Sequence, residues 1–274
     1  MDLIKRGERR RANSIHSTKY YLDCQSKVAG NKNTREWLIV KNILLDSKVI
    51  LGLLNQNMQV VIKIGDRQHI DREYAINKQL QQYRGFTRYI CEFNCRDKLN
   101  KYIPKDFNGN ILYSYRDTGF CENDGDVQTY SIIMPYYPLG NMMNYHWNES
   151  NFGLFKNIIK DIIAILLYVN NEIGFLHNDL HLENIMVKSK NDHVTFDLID
   201  FELSTINVDD KNNLKKLGQN FRKLFNDIGR LDYIDYKSIY ELILLTDSMR
   251  DPFEKVDLND LSRLIDSMSF ISRN

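Results

Sequence analysis

The chain has 274 residues and a mass of 32.4 kDa, room for one large domain or two lobes around a cleft. Hydrophobic residues make up 43% and charged residues 27%, and 37 Lys+Arg against 36 Asp+Glu leave a net charge of +1. That balance gives no strong nucleic-acid signal and excludes a chain devoted to neutralising an acidic partner. Four cysteines are too few for a disulfide scaffold, and Cys91 and Cys95 have no second Cys/His pair at zinc spacing.

Residues 1–36 are polar and basic, with the run Lys5-Arg6-Gly7-Glu8-Arg9-Arg10-Arg11. They read as an N-terminal extension, either a solvated tail or an anchoring or targeting segment. From Trp37 the pattern changes. Residues 36–44, 48–54 and 59–64 read as strands, the third rich in β-branched side chains. A helix is expected over residues 68–84, with Ile70, Tyr74, Ile76, Leu80 and Tyr83 as its stripe. Two further strands are expected over 111–121 and 127–137, joined by a turn containing Asp124-Gly125. After Pro138-Leu139-Gly140 the chain turns helical, and residues 155–170 read as a buried helix. No internal repeat and no apolar run of membrane-spanning length is visible.

The most informative stretch follows that helix: Phe175-Leu176-His177-Asn178-Asp179-Leu180-His181-Leu182-Glu183-Asn184. A hairpin around residues 188–193 separates it from Phe196-Asp197-Leu198-Ile199-Asp200-Phe201-Glu202. A carboxylate and an amide oxygen from two neighbouring loops are hard ligands of the kind that hold a divalent metal on ATP phosphates. A second carboxylate is needed to orient an incoming hydroxyl and take its proton.

The pattern His-x-Asp-Leu-x-x-x-x-Asn followed by Ile-Asp-Phe resembles the catalytic loop and metal loop of the protein-kinase-like fold. The resemblance covers most of residues 37 to about 230. It implies an α+β, bilobal architecture: a β-rich N-lobe over 37–137 and a reduced, helical C-lobe over 138–274. It implies Asp179 as the catalytic carboxylate, Asn184 and Asp200 as ligands of Mg²⁺ or Mn²⁺, and His177 as a structural residue of the loop. Val60-Val61-Ile62-Lys63 is similar to the lysine strand, so Lys63 would meet the ATP phosphates, with Glu73 as its helix partner. Residues 131–140 resemble the strand and hinge that receive adenine. Met134 would be the gatekeeper there, and the main chain of Pro135 and Tyr137 would meet the base.

Several features depart from that pattern. No glycine lies between the first two strands before Gly52, so Ser47 and Lys48 would serve the phosphates with side-chain donors. His181 stands where most protein kinases carry lysine, and it could still donate to a phosphate. Asp-Leu-His resembles haspin-like and small-molecule kinases, and Ile-Asp-Phe-Glu resembles choline and aminoglycoside kinases. The segment after Asp200 is short, leads into a basic amphipathic helix over 214–225, and contains no Ala-Pro-Glu. The expected function is therefore that of an ATP-dependent Ser/Thr protein kinase needing no loop phosphorylation. A small-molecule kinase and a pseudokinase scaffold are the alternatives. The expected location is a reducing compartment: the cytoplasm, or a host cell's cytoplasm for a viral or effector protein.

Overall fold

The computed structural model describes residues 19–22, 36–45, 49–54, 58–94, 130–190, 193–207, 213–248 and 258–271. The chain divides into two compact units, Met1–Tyr74 with Arg88–Tyr136, and Ala75–Thr87 with Tyr137–Asn274. Strands and helices are both abundant, compatible with the α+β class. Among the described residues no helix is long and apolar enough to cross a membrane.

The first unit is built on a six-stranded antiparallel sheet. Its strands are β1 (Lys19–Leu22), β2 (Glu36–Leu45), β3 (Val49–Leu54), β4 (Met58–Gly65), β5 (Cys91–Asn94) and β6 (Tyr130–Pro135), in the order β1-β2-β3-β4-β6-β5. On β4, Val60 and Ile62 are fully buried while Val61 and Lys63 are half-buried, the two-residue period of a pleated strand. On β6 the run Ser131-Ile132-Ile133-Met134 is buried throughout, so side chains on both faces of the strand are covered. Helix α1 (Arg67–Leu80) starts at Asp66, whose Oδ1 accepts the His69 N–H at 3.1 Å.

Strand β5 is not evident from sequence, because Cys-Glu-Phe-Asn is short and lacks a β-branched run. The expected strand 111–121 and its turn lie outside the described residues, and β6 is the described part of the 127–137 strand. Helix α1 also ends before the expected Arg84. Gly85 and Thr87 exchange backbone hydrogen bonds with Leu198, which draws the chain out of the helix. Gly85 has φ +79°, and a Cβ there would fall 2.9 Å from Ile165 Cδ1 and 3.1 Å from Phe196 Cε2, so glycine is required.

In the second unit, helix α2 (Phe152–Ile173) buries Phe155, Ile158, Ile159, Ile162, Ile163, Leu166 and Val169 at helical spacing. It is longer at both ends than the sequence periodicity indicates. A turn capped by Asn148 leads into it, and Gly174 closes it in the left-handed conformation at φ 66°. The two-residue strands β7 (Phe175–Leu176) and β10 (Thr205–Ile206) pair, and β8 (Ile185–Lys190) and β9 (His193–Leu198) form a hairpin. Helices α3 (Asn213–Ile228), α4 (Tyr236–Ser248) and α5 (Leu258–Ser267) complete the described residues. Phe86, Phe175, Phe201 and His177 form a ring cluster behind the loop that follows β7, with centroids 5.4–6.3 Å apart along the chain of contacts.

Candidate active site

In the first unit, Lys63 projects from β4, between the cross-strand partners Val49 and Ile132. Its Nζ donates to Glu73 Oε2 at 2.8 Å. Glu73 sits among Ile70, Ile76 and Leu80 on the buried stripe of α1 and has no solvent exposure. Tyr89 Oη donates to its second oxygen, Oε1. A carboxylate so enclosed persists only where cations and hydroxyls replace its water. Met134 is buried on β6 opposite Val61, and Pro135 pairs with Val60 in the same ladder. Ser47 and Lys48 lie outside the described residues.

In the second unit, the loop after β7 is held from several directions. His177 is buried, its Nε2 lies 3.0 Å from the Ile199 carbonyl oxygen, and Ser204 Oγ donates to the His177 carbonyl at 3.0 Å. Burial pushes the His177 imidazole down to about 4, although Asp200, the Ile199 carbonyl and Asp179 all pull it upward. It is therefore neutral at physiological pH, which fits the structural role expected for it. Asn178 takes φ 62°, a left-handed conformation that asparagine tolerates. Its Nδ2 donates to the Leu203 carbonyl and to Thr205 Oγ1, securing the turn.

Asp179 and Asn184 are brought together. Asn184 Nδ2 donates to the Asp179 carbonyl at 3.0 Å, approaches Asp179 Oδ2 at 3.3 Å, and lies 2.9 Å from His181 Nε2. His181 Nε2 is 3.5 Å from Asp179 Oδ2. Turning the amide nitrogen toward Asp179 directs the Asn184 oxygen the other way. The Ile199 N–H donates to the Asn184 carbonyl at 3.0 Å, tying the residue before Asp200 to the same loop. Asp200 itself has φ 63° and carries a carboxylate oxygen within 4.8 Å of one on Glu202. A left-handed aspartate costs free energy on the order of 1 kcal/mol, which surrounding structure must offset.

Three residues of this loop's support are missed by sequence reasoning. Asn220, Lys223 and Asp227 follow one another at three- and four-residue spacing along one face of α3. Asn220 Oδ1 accepts the Asn178 N–H at 2.6 Å, and Asp227 Oδ2 accepts the Leu182 N–H at 2.8 Å. Lys223 Nζ donates to Asp179 Oδ1. A signal is present: polar residues at those spacings border the apolar stripe of Leu217, Phe221, Leu224, Phe225 and Ile228. Partial burial raises the Asp179 carboxyl, but the hydrogen bond and charge of Lys223, with help from His181 and His177, outweigh it and hold the group below the ordinary aspartate value. Asp179 is thus a fixed, ionised acceptor.

Tyr137 is buried; its Oη donates to Asp197 Oδ2 and accepts from Thr87 Oγ1, both at 2.8 Å. Burial and the Asp197 charge push its phenol far above the ordinary tyrosine value. Lys188 Nζ lies 2.5 Å from Asp197 Oδ1, which completes the shell of that buried carboxylate.

No family model matches the chain. Over 126 residues it is 30% identical to the probable serine/threonine-protein kinase samkA of Dictyostelium discoideum. The match covers 44% of this chain and 18% of that protein, so the chain spans well under a third of its relative. This supports a distant, kinase-like relationship.

Proposed function

We propose that the chain is an ATP- and Mg²⁺-dependent protein kinase that transfers phosphate to serine or threonine and works with a short activation segment. The observation that carries the reading is the bonded set in the second unit. Asp179 is fixed by Asn184 and Lys223, and Asn184 is tied through its carbonyl to the residue before Asp200. Three oxygen-bearing side chains on two loops are thereby held in order, which positioning and charge stabilisation in phosphoryl transfer require. Similarity to a probable serine/threonine kinase supports the same direction.

In this reading Asp179 orients the acceptor hydroxyl and takes its proton, and His181 beside it is a donor for the transferred phosphate. Asn184 and Asp200 fit a divalent ion: both supply hard oxygens, the Asn184 amide nitrogen is engaged elsewhere, and Glu202 places a second carboxylate near Asp200. Bound Mg²⁺ or Mn²⁺ would neutralise the phosphate oxygens. Lys63, oriented by Glu73, is assigned to the α- and β-phosphates. Met134, Pro135 and Tyr137 are assigned to adenine. The Tyr137 carbonyl accepts the Gly140 N–H at 3.1 Å, so the main-chain N–H of Tyr137 is the group assigned to the base. Ser47 and Lys48 are assigned to the phosphates.

The test is phosphate transfer from Mg·ATP to casein-type proteins, choline and an aminoglycoside, comparing the wild type with Asp200→Ala. Transfer to protein Ser/Thr that disappears in the variant is expected. Transfer to the small alcohols alone would make the chain a small-molecule kinase. Absence of both nucleotide binding and transfer would leave a pseudokinase scaffold.

A further inference from the structure

Helix α3 offers a second set of side chains that the reaction itself does not use. Lys215, Gln219, Arg222, Lys223, Asn226 and Arg230 recur at three- and four-residue spacing, so they share one stripe along the helix and the turn that follows. Asp227 shares this face with Lys223 and Arg230, and its carboxylate already accepts the Leu182 N–H. All of these but Lys215 line a cavity of about 570 Å³ whose remaining wall is Asp179, His181, Glu183 and Asp227. Two of the three carboxylates in that wall, Asp179 and Asp227, are already engaged, and Glu183 is 62% exposed. Asp179 takes Lys223, Asp227 takes the Leu182 N–H and has Arg230 at 3.5 Å, and Glu183 lies 3.8 Å from His181. A guanidinium carries several donors in a planar fork, so one long contact to Asp227 leaves Arg230, 78% exposed, with donors to spare. The whole chain has a net charge of only +1, so this stripe is a local concentration rather than general basicity.

Resting on the kinase reading, we propose that this cavity receives an anionic side chain of the protein substrate, Asp, Glu or an already phosphorylated residue, a short distance along the chain from the acceptor hydroxyl. The cavity opens beside Asp179, the group assigned to that hydroxyl, so a side chain lying in it belongs to the same substrate segment. Arginine forks match carboxylate and phosphate oxygens in pairs, and the neutral donors of Gln219 and Asn226 complete such a shell. Because the cations are partly exposed, the preference is salt-sensitive.

The experiment uses the full chain and peptides with a single serine, flanked by Asp, phosphoserine, Ala or Lys. The wild type is expected to favour the acidic and phosphorylated peptides over the Ala peptide by about tenfold in kcat/KM, mainly through KM, with the ratio falling as NaCl is raised. Arg222→Gln/Arg230→Gln should bring the ratio close to one, and Arg222→Lys/Arg230→Lys, which keeps the charges but loses the paired fork, should keep only part of it. Equal kcat/KM across the peptides in the wild type, or a ratio the Gln double variant leaves unaltered, overturns the inference while the kinase reading stands. No transfer to any peptide, with ADP formation no higher than in Asp200→Ala, overturns the kinase reading itself. The peptide and salt series need only the wild type, so equal kcat/KM across the peptides overturns the inference even if the variants fail to fold.

Discussion

The two units each contain a lysine bound to a carboxylate, and the pairs differ in almost everything except chemistry. Lys63 and Glu73 have side chains 18% and 0% exposed; Lys223 and Asp179 are 49% and 26% exposed. In the first pair the carboxylate belongs to a helix stripe that is otherwise apolar, and its cation is part of what makes the fold possible. In the second, water reaches both partners, and the lysine sets the state of a carboxylate that the loop already holds. Burial, not pairing, decides whether an ion pair is structural or adjustable.

The largest expected effect tests what the exposed carboxylate is for. Asp179→Asn keeps the shape but cannot take a proton, and kcat for protein phosphorylation should fall by about 10²–10⁴. Its unfolding free energy should stay close to that of the wild type. Full turnover by Asp179→Asn would remove Asp179 from the chemistry.

The buried pair should show itself in stability. Lys63→Met leaves the Glu73 carboxyl enclosed without the Lys63 ammonium, and denaturant unfolding should register a loss of about 3 kcal/mol. Adding Glu73→Leu should recover much of that loss, because replacing both charges with apolar groups of similar size removes the desolvation cost. A double variant no more stable than Lys63→Met would show that the pair's burial is not what makes it expensive to break.

The contrast also separates what was legible in the sequence from what was not. Lys63 is legible through the resemblance of Val60-Val61-Ile62-Lys63 to the lysine strand, and Glu73 as the helix partner that resemblance implies; the structure joins the two at 2.8 Å. The loop His177–Asn184 and the Ile199-Asp200-Phe201 segment could be read from residue types and order. Lys223, Asn220 and Asp227 could not, because their partners lie about forty residues upstream and helical spacing alone names no partner. Strand β5 escaped because a four-residue strand is defined by its neighbour β6 rather than by its own composition.

His177 extends the comparison to a group held by burial rather than by an ion pair. Its folded value of about 4 lies below the ordinary 6.5, so the neutral ring stabilises the fold fully above pH 6.5. As pH falls from 6.5 toward 4 the unfolded chain gains a proton that the folded chain refuses, and stability declines by on the order of 3 kcal/mol. Asp179 acts in a lower window. Its depressed value means that its contribution is complete above pH 3.8 and is lost as pH falls through the folded value. Unfolding free energies measured at pH 7, 5.5 and 4.5 should therefore decline in the wild type and stay flatter in His177→Asn. Parallel curves would assign the acid sensitivity to other groups.

The smallest expected change completes the comparison. Lys223→Met removes a cation whose pair is about half open to solvent, so the stability loss should stay under about 1 kcal/mol. That loss should shrink further in high salt, where an exposed pair is already screened. The Asp179 carboxyl would rise toward its ordinary value, since its main stabilising cation is gone, yet it would remain ionised at pH 7. A loss as large as that of Lys63→Met, insensitive to salt, would mean that α3 anchors the loop through Lys223. Asn220 and Asp227, which hold the loop's backbone N–H groups, would then be secondary.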